Sequence, residues 1–192
     1  MSNGLVVAFL GSPRRNGRTA ALMAEAISGA ESAGMTVKVY HLNDPGIRGC
    51  QACHACRERY GCATEDYLTP MYDDLSQASA VIFASPNYYF QITGQAKLWL
   101  DRTLPLLGED SSGGFQSRFP GKKVVALYSQ GNPDVTISRG MIDGMNKVFD
   151  LYGWTVIACL VATGKATEGT PAFNDLLWQA HEAGAALALD GD

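Results

Sequence analysis

The sequence has no excess of positive charge. Its 15 lysine and arginine residues are outnumbered by 19 aspartate and glutamate residues, so the formal net charge is −4. This balance gives no electrostatic reason to expect nucleic acid or an anionic membrane surface as a partner. We therefore expect small molecules or proteins as partners, and no nucleic acid.

Long hydrophobic runs are also missing. The apolar run at residues 5–10 is short, ends in Gly-Ser-Pro and is followed by positive charge, which reverses the order of a secretory signal peptide. No segment approaches the roughly 18 consecutive apolar residues of a membrane span. We therefore predict no membrane partner and a cytoplasmic location. Thiols stay reduced there, and clustered cysteines favour metal binding or redox chemistry over disulfides.

The chain has enough apolar residues for one sizeable core. It is 192 residues long and 46% hydrophobic, so residues 1–192 are predicted to form a single domain. Five apolar or β-branched runs predict strands, and three of them lack polar alternation, which is typical of parallel strands buried on both faces. The predicted strands are 4–10, 35–42, 80–85, 123–129 and 154–161, and the predicted helices are 18–33, 70–77, 94–107, 136–152 and one that starts at Pro171 behind a Thr170 cap.

This alternation predicts an α/β fold with three layers. Right-handed crossovers between strands lead to a doubly wound sheet of five parallel strands in the order 2-1-3-4-5. The segment 108–121 is rich in glycine and serine. We expect it to be a mobile loop that acts as a lid or an interface arm.

The loop after the first predicted strand is suited to a phosphate group. Ligands bind such sheets beyond the carboxyl ends of the strands, so the loops after strands one, three and four should converge. The first loop, GSPRRNGRTA, matches neither a G-x-G-x-x-G fingerprint nor a P-loop, which favours a lone phosphate. A plain turn with solvated arginines is the alternative. Besides the amides at the helix start, the groups that suit a phosphate dianion are Ser12, Arg14, Arg15, Asn16, Arg18 and Thr19.

The two other loops are suited to a flat ring. Pro86 stiffens the loop after the third strand, where Asn87 and the following aromatic residues offer amide and stacking groups. The loop 129–134 is a turn rich in backbone N–H donors. Taken singly, each loop is equally well explained as a turn, but together the three outline a mononucleotide such as flavin mononucleotide, FMN.

Four of the five cysteines lie in a compact loop at residues 48–63, the cysteine loop. Their spacing is C-x2-C-x2-C-x5-C, and Gly61 lets the chain fold back so that all four thiols reach one 4Fe-4S cluster. Zinc is one alternative, and a metal-free loop with packing or redox-active thiols is another. The candidate ligands are Cys50, Cys53, Cys56 and Cys62, and the arginines that would moderate a cluster's negative charge are Arg48, Arg57 and Arg59.

Several motifs together resemble a known family. GSPRRNGRT, CQACHAC with Cys62, EDYLTPMYDDL, AVIFASPNYY and GQAKLWLDR are similar to the NADPH-dependent FMN reductases of the flavodoxin-like superfamily, especially their iron-sulfur flavoprotein branch. The resemblance implies a flavodoxin-like oxidoreductase with FMN, a 4Fe-4S cluster, NAD(P)H as a candidate donor, and a homodimer or homotetramer. It also implies three sets of FMN-binding residues. The phosphate would be bound by Ser12, Arg14, Asn16 and Thr19, with Ala20 at the helix start. The isoalloxazine would be held by Pro86, Asn87, Tyr88 and Tyr89, and the site would be closed by Ser129, Gln130 and Gly131.

The expected function is electron transfer between a two-electron flavin and a one-electron 4Fe-4S centre. The electron donor and acceptor would be small molecules or proteins. We expect that no side chain acts as an indispensable general acid or nucleophile. One alternative is an NAD(P)H-dependent reductase of FMN, quinones or azo compounds without a metal cluster, and another is a non-enzymatic zinc-binding module. We also expect Cys159 to be a small buried residue of the last strand, and Asp101 and Arg102 to lie at the surface or in an interface.

Overall fold

The computed structural model describes residues 4–109, 113–164 and 166–188. Its strands are β1 Leu5–Leu10, β2 Thr36–His41, β3 Ala80–Pro86, β4 Leu107–Glu109, β5 Phe115–Ser117, β6 Lys123–Ser129 and β7 Thr155–Ala162. Its α-helices are α1 Arg18–Ser32, α2 Ala55–Glu58, α3 Met71–Gln77, α4 Gly94–Asp101, α5 Arg139–Leu151 and α6 Pro171–Ala185. Within these ranges, no helix combines the length and the apolar character needed to cross a bilayer.

Five of the strands form one parallel sheet. Its order is β2-β1-β3-β6-β7, which confirms the predicted order 2-1-3-4-5 of the main sheet. Leu10 pairs with Ala84, and Pro86 pairs with Ser129. Because the strands are parallel, the ends of β1, β3 and β6 lie at the same edge of the sheet, and the loops that follow them start side by side.

Two cores cover the two faces of the sheet. Alternate residues of β1 enter opposite cores, because successive side chains of a strand point to opposite faces. Val7 and Phe9 pack with residues of α3, α4 and α5, whereas Val6 and Ala8 pack with residues of α1 and α6. This arrangement confirms the predicted three layers, and it explains why the central strands read as continuous apolar runs.

Three predicted elements differ from the structure. The predicted helix 136–152 is α-helical only from Arg139, after a 3-10 turn at Val135–Ser138. The predicted helix 94–107 ends as α4 at Asp101, and a separate 3-10 turn follows at Leu104–Leu106. Pro105 explains the break, because proline disfavours a helical residue before it and lacks an N–H. Residues 108–109 and 115–117 of the predicted loop 108–121 belong to β4 and β5, which pair antiparallel, while residues 110–112 between them lie outside the described ranges.

The expectation that Cys159 is buried is wrong. Cys159 lies on β7, which ends the order of the five-stranded sheet, and its side chain is exposed. An edge strand is covered by a neighbour on one side only, so its apolar sequence did not guarantee burial.

Helices α1 and α6 pack through small residues. A Cβ atom added to Gly29 of α1 would lie 1.9 Å from the carbonyl oxygen of His181, and one added to Gly184 of α6 would lie 1.9 Å from that of Ala26. Both obstacles are helix backbone, which does not move aside easily. The absence of a side chain at these two positions therefore sets the distance between the helices.

We predict that Gly29→Ala lowers the free energy of unfolding by at least about 2 kcal/mol, because the added methyl group overpacks a rigid contact. Gly144→Ala is the matched control: Gly144 also lies in a helix, but no described atom comes within 4 Å of its added Cβ. This control should raise the free energy of unfolding by about 0.5–1 kcal/mol. Urea titration followed by circular dichroism measures both, and equal effects of the two changes would contradict the tight helix contact.

Candidate functional site

A cavity of about 190 Å³, the edge pocket, opens at the carboxyl edge of the sheet. It brings together most of the residues predicted to bind a cofactor. Four predicted residues do not line it: Arg15 and Asn16 are exposed, Ala20 is buried in α1, and Tyr89 is 96% exposed and borders a neighbouring groove. The residues that line the edge pocket are Ser12, Arg14, Gly17, Arg18, Thr19, Pro86, Asn87, Tyr88, Ser129, Gln130 and Gly131.

Helix α1 begins at the edge pocket with unpaired backbone amides. Gly17 is the N-cap residue, and no side chain within the described ranges caps the helix. The first intrahelical bond runs from the amide of Ala21 to the carbonyl of Gly17 at 2.9 Å, so the amides of Arg18, Thr19 and Ala20 precede it. Free amides at the positive end of a helix dipole form a site for an anion. Ala20, although buried, can contribute to such a site through its backbone N–H.

Two hydroxyl groups join the first and third loops of the pocket. The Oγ1 atom of Thr19 lies 2.7 Å from the Oγ atom of Ser129, and both residues are buried. One hydroxyl donates in this bond and the other accepts, so one of the two O–H protons stays free to be donated to a ligand. The pair therefore aligns a donor while it holds two loops together.

Arg18 ties two further loops to the start of α1. Its Nη1 atom donates to the carbonyl of Thr163 at 2.7 Å and to that of Ala166 at 3.1 Å, and its Nη2 atom donates to the carbonyl of Gln130 at 2.9 Å. The sequence pattern identified Arg18 as a cation near a phosphate but gave no sign of these bonds. Arg18 therefore both lines the edge pocket and fixes the loops after β6 and β7.

Asn87 presents an unpaired acceptor at the edge pocket. Its Nδ2 atom donates to Oε1 of Gln130 at 3.2 Å, and Gln130 in turn donates through Nε2 to the carbonyls of Asn132 and Asp134. The Oδ1 atom of Asn87 is buried and has no partner within the described ranges. A buried acceptor without a partner is costly, so this atom is suited to accept an N–H of a bound ligand.

The turn after Asn87 is strained. Tyr88 and Gln91 bond to each other through their backbones, and the two residues between them have positive φ angles, 50° at Tyr89 and 67° at Phe90. Non-glycine residues in this region cost free energy, and bulky ones are uncommon there. Both aromatic side chains are exposed. Strained residues of this kind are concentrated at ligand clamps and other functional sites.

The four clustered cysteines line a second cavity of about 160 Å³, the cysteine cavity. Within the described ranges, no three histidine, cysteine, aspartate or glutamate side chains form a group that could hold a metal ion as they stand. All four thiol-bearing residues nevertheless line this one cavity, and the rest of its surface is largely apolar. The residues that line it are Cys50, Gln51, Ala52, Cys53, His54, Cys56, Cys62, Ala63, Asp101, Arg102, Leu104 and Pro105.

The backbone of the cysteine loop turns sharply between the thiols. Ala52, His54 and Gly61 have φ angles of 52°, 59° and 92°. These turns direct N–H groups towards sulfur: the amide of Ala52 lies 3.5 Å from Sγ of Cys50, and that of Thr64 lies 3.4 Å from Sγ of Cys62. Successive turns with left-handed residues form concave nests for anionic groups, including iron-sulfur clusters. Gly61, where the sequence predicts that the chain folds back, has one of these positive φ angles.

Two of the thiols have shifted pKa values. Burial raises the pKa of Cys56, and the neighbouring cysteines add to the increase. Burial also acts to raise the pKa of Cys62, but the amide of Thr64 and the charge of Arg102 outweigh it, so this pKa is lowered. The thiolate is the form that binds metals and attacks electrophiles. Cys62 is therefore the better prepared of the two to act as a thiolate at neutral pH.

The expectation that Arg102 lies at a surface or interface is wrong. Its side chain is fully buried and pairs with Asp66, with 2.7 Å between Nη1 and Oδ2. The sequence carried one signal of this burial: Arg102 and Asp101 are the only charged residues in the stretch 98–107, LWLDRTLPLL. A charge inside an apolar stretch is buried only when a partner is available, and Asp66 lies too far along the chain to be recognised as that partner.

Comparison with known proteins identifies a family that matches most of the chain. The model of the family described as NADPH-dependent FMN reductase matches residues 5–168. An iron-sulfur flavoprotein of Archaeoglobus fulgidus is 28% identical over 161 residues, which cover 82% of this chain and 68% of that protein. An iron-sulfur flavoprotein of Methanocaldococcus jannaschii is 29% identical over 136 residues, which cover 70% of this chain and 68% of that protein.

Solved structures share the fold at low sequence identity. An NAD(P)H:quinone oxidoreductase from Methanothermobacter marburgensis superposes with a TM-score of 0.77 at 19% identity, covering 97% of this chain and 100% of that one. An FMN-dependent NADH-azoreductase from Bacillus anthracis, solved in complex with FMN, gives a TM-score of 0.69 at 14% identity, covering 98% of this chain and 100% of that one. These likenesses establish the flavodoxin-like fold.

We predict that replacing the strained pair by a favourable turn, Tyr89→Asn with Phe90→Gly, raises the free energy of unfolding by about 1 kcal/mol. Asparagine and glycine adopt positive φ angles at lower cost than tyrosine and phenylalanine. Gln91→Gly is the control, since Gln91 is an exposed residue of the same turn without a positive φ angle. It should lower the free energy by about 0.5–1 kcal/mol. Urea titration of both variants checks the difference, and destabilisation by the double change would argue against strain.

Proposed function

The chain belongs to the NADPH-dependent FMN reductase family, which makes it an oxidoreductase, and we propose that it binds FMN in the edge pocket and a 4Fe-4S cluster in the cysteine cavity. In this proposal it transfers electrons between a two-electron flavin and a one-electron centre. The flavin part is supported by the family and by the shape of the edge pocket. The cluster part is supported by the cysteine cavity and by relatives named iron-sulfur flavoproteins.

The observation that carries the flavin proposal is the set of unsatisfied polar groups in one pocket. The start of α1 offers unpaired amides beside Arg14 and Arg18, which suits a phosphate dianion. The buried Oδ1 atom of Asn87 lacks a partner and suits an N–H of the isoalloxazine edge. A phosphorylated flat ring with polar edges satisfies both ends of the pocket at once.

The chain's residues have three roles towards FMN in this proposal. Ser12, Arg14, Thr19 and the amide of Ala20 bind the phosphate, and Asn16, which is exposed outside the pocket, must turn inward to join them. The ring is held by Pro86, Asn87, Tyr88 and Tyr89, of which Tyr89 must turn inward or act from the rim, because it is 96% exposed. The third role belongs to the turn after β6, where Ser129, Gln130 and Gly131 close the site. When bound, FMN supplies a hydride acceptor that can also release electrons singly.

The residues of the cysteine cavity fit a cluster. A cubane spreads its four thiolate ligands over separate iron atoms, so it requires a cavity between the sulfurs rather than three side chains converging on one ion. Cys50, Cys53, Cys56 and Cys62 line such a cavity, and backbone N–H groups point at two of the four sulfurs. Hydrogen bonds to sulfur are among the means by which proteins raise cluster potentials.

The proposed electron donor and acceptor belong to different chemical classes. NAD(P)H is the proposed donor, and a small molecule or a redox protein is the proposed partner at the other centre. We further propose a homodimer or homotetramer, since an exposed aromatic turn beside the edge pocket offers a surface to another subunit. The sequence-based alternative of a non-enzymatic zinc module is set aside, because the family is one of enzymes.

A metal-free NAD(P)H-dependent reductase is the second candidate. It is favoured by one observation, that the described thiols do not converge in a ready-made metal site. Anaerobic purification followed by flavin, iron and sulfide analysis separates the two functions. The cluster proposal requires about four iron and four sulfide per chain. Rapid turnover of NADPH by iron-free, flavin-loaded protein, with no iron uptake on anaerobic reconstitution, would establish the second candidate instead.

We predict that Arg14→Gln together with Thr19→Val weakens FMN binding roughly 100-fold. The change removes a charge-assisted hydrogen bond and a neutral one, worth about 2–4 kcal/mol together. Arg15→Gln is the matched control, because Arg15 is an exposed arginine of the same loop that does not line the pocket. Fluorescence titration of the apoprotein with FMN measures both. Unchanged affinity in the double variant would place the phosphate elsewhere.

We predict that Cys56→Ser removes most of the bound iron and leaves FMN bound, because serine is a poor ligand for a 4Fe-4S cluster. Cys159→Ser serves as the control, since Cys159 lies on β7 outside the cysteine loop. Iron and flavin contents after anaerobic reconstitution give the readout. Equal iron in the two variants would count against the cysteine loop as the cluster site.

A further inference from the structure

We propose that Arg102 is the positioning residue of the cysteine cavity: its guanidinium fastens both ends of the cysteine loop and keeps one N–H free for sulfur. This inference rests on the proposed cluster only for its second part. The first part concerns the protein alone and is open to test without any metal.

Arg102 joins the two ends of the cysteine loop. Its Nη1 atom donates to the carbonyl of Arg48 at 2.8 Å, two residues before the first cysteine. Its Nη2 atom donates to the carbonyl of Thr64 at 2.9 Å, two residues after the last cysteine. One rigid planar group therefore spans the entrance and the exit of the loop, and it does so from a position directly after α4.

Asp66 orients the guanidinium. Its carboxylate accepts from Nη1 of Arg102 at 2.7 Å and from Nη2 at 3.3 Å, and it also accepts from the amides of Arg48 and Leu68. Burial alone would raise the pKa of Asp66, but the hydrogen bonds from Arg102 and from these amides hold it below its usual value. The carboxylate is therefore ionised at neutral pH and forms a bidentate pair with Arg102.

The remaining N–H of Arg102 makes no hydrogen bond of good geometry. Its Nε atom is buried, and among the described groups only the Tyr72 hydroxyl is recorded as a further side-chain neighbour of the guanidinium. The residue is only 1% exposed, yet it lines the cysteine cavity. An unpaired buried donor of a charged group is costly unless something in the site accepts from it. The sulfur atoms of the four cysteines that line the same cavity are acceptors, and we assign this N–H to one of them.

This role differs from the one expected of the other arginines. Arg57 and Arg59 are exposed, so water screens their charge, and they add little to the field inside the cavity. Arg102 is charged and desolvated, but Asp66 balances its charge. It therefore acts on the cavity mainly through geometry and a directed N–H, both of which lysine cannot reproduce.

The test compares three variants of the full chain. Arg102→Lys keeps the charge but removes the fork and Nε–H. Asp66→Asn keeps the shape but leaves the charge of Arg102 unbalanced. Arg57→Lys is the matched control at an exposed arginine of the same loop. FMN content is measured in each as a check that the sheet and edge pocket remain folded.

The first readout is amide hydrogen exchange of residues 48–66 in the iron-free protein. We expect roughly tenfold faster exchange in Arg102→Lys, because the loop loses the bonds at both ends, and no change in Arg57→Lys. Equal exchange in wild type and Arg102→Lys would overturn the fastening role. This readout decides that role even if the wild-type chain takes up no iron, an outcome that would end the cluster proposal itself.

The second readout is the midpoint potential of the iron centre, taken with the iron content after anaerobic reconstitution. Arg102→Lys should lower the potential, by about 59 mV for a tenfold change in the one-electron equilibrium, because a hydrogen bond to sulfur is lost. Asp66→Asn should raise it, because a negative charge is removed beside Arg102. A purely structural role would lower iron content in both without opposite shifts. Unchanged potentials with bound iron would overturn the sulfur-directed N–H.

Discussion

The parallel sheet imposes the constraint on which both candidate sites depend. All five strands point the same way, so β1, β3 and β6 end at one edge, and residues far apart in sequence start their loops side by side. The bond between Thr19 and Ser129 joins positions 110 residues apart at this edge. Two short loops that are so far apart in sequence would not stay in contact on their own. They meet because the buried apolar strands hold their first residues side by side.

Helix α4 connects the edge pocket to the cysteine cavity. At its start, Thr93 caps the helix by accepting from the amide of Ala96 and donates to the carbonyl of Gly11, which begins the first loop. Directly after its end, Arg102 holds the cysteine loop. The helix has eight residues and is therefore about 12 Å long. The two sites are thus fixed to opposite ends of one short, packed element, and neither can shift as a unit without straining the other.

The sequence allowed the sheet and most of the edge pocket to be predicted, because both depend on local patterns. Continuous apolar runs gave the strands, and the polar turns after them gave the loops. Long-range side-chain partners were not predictable. The bonds of Arg18 to Thr163 and Gln130 require knowledge of which loops face each other. The pairing of Arg102 with Asp66 joins residues 36 positions apart, and without that partner an arginine after a helix looks like a surface residue. The hairpin of β4 and β5 was missed because glycine and serine near its tip suggested an unpaired loop.

The two buried or half-buried arginines show how one residue type serves two different sites. Within the described ranges, Arg18 donates only to carbonyl oxygens and no aspartate or glutamate lines the edge pocket, so its charge and that of Arg14 are left uncompensated there. An uncompensated positive field suits a dianion and favours ionised phosphate over a neutral ligand. Arg102 is neutralised by Asp66, so in our proposal it offers the cysteine cavity a directed N–H with little net charge. A bound cluster would change its charge in each redox cycle. A buried cation without a counterion would stabilise the reduced cluster strongly and oppose its reoxidation, whereas a donor balanced by Asp66 would not.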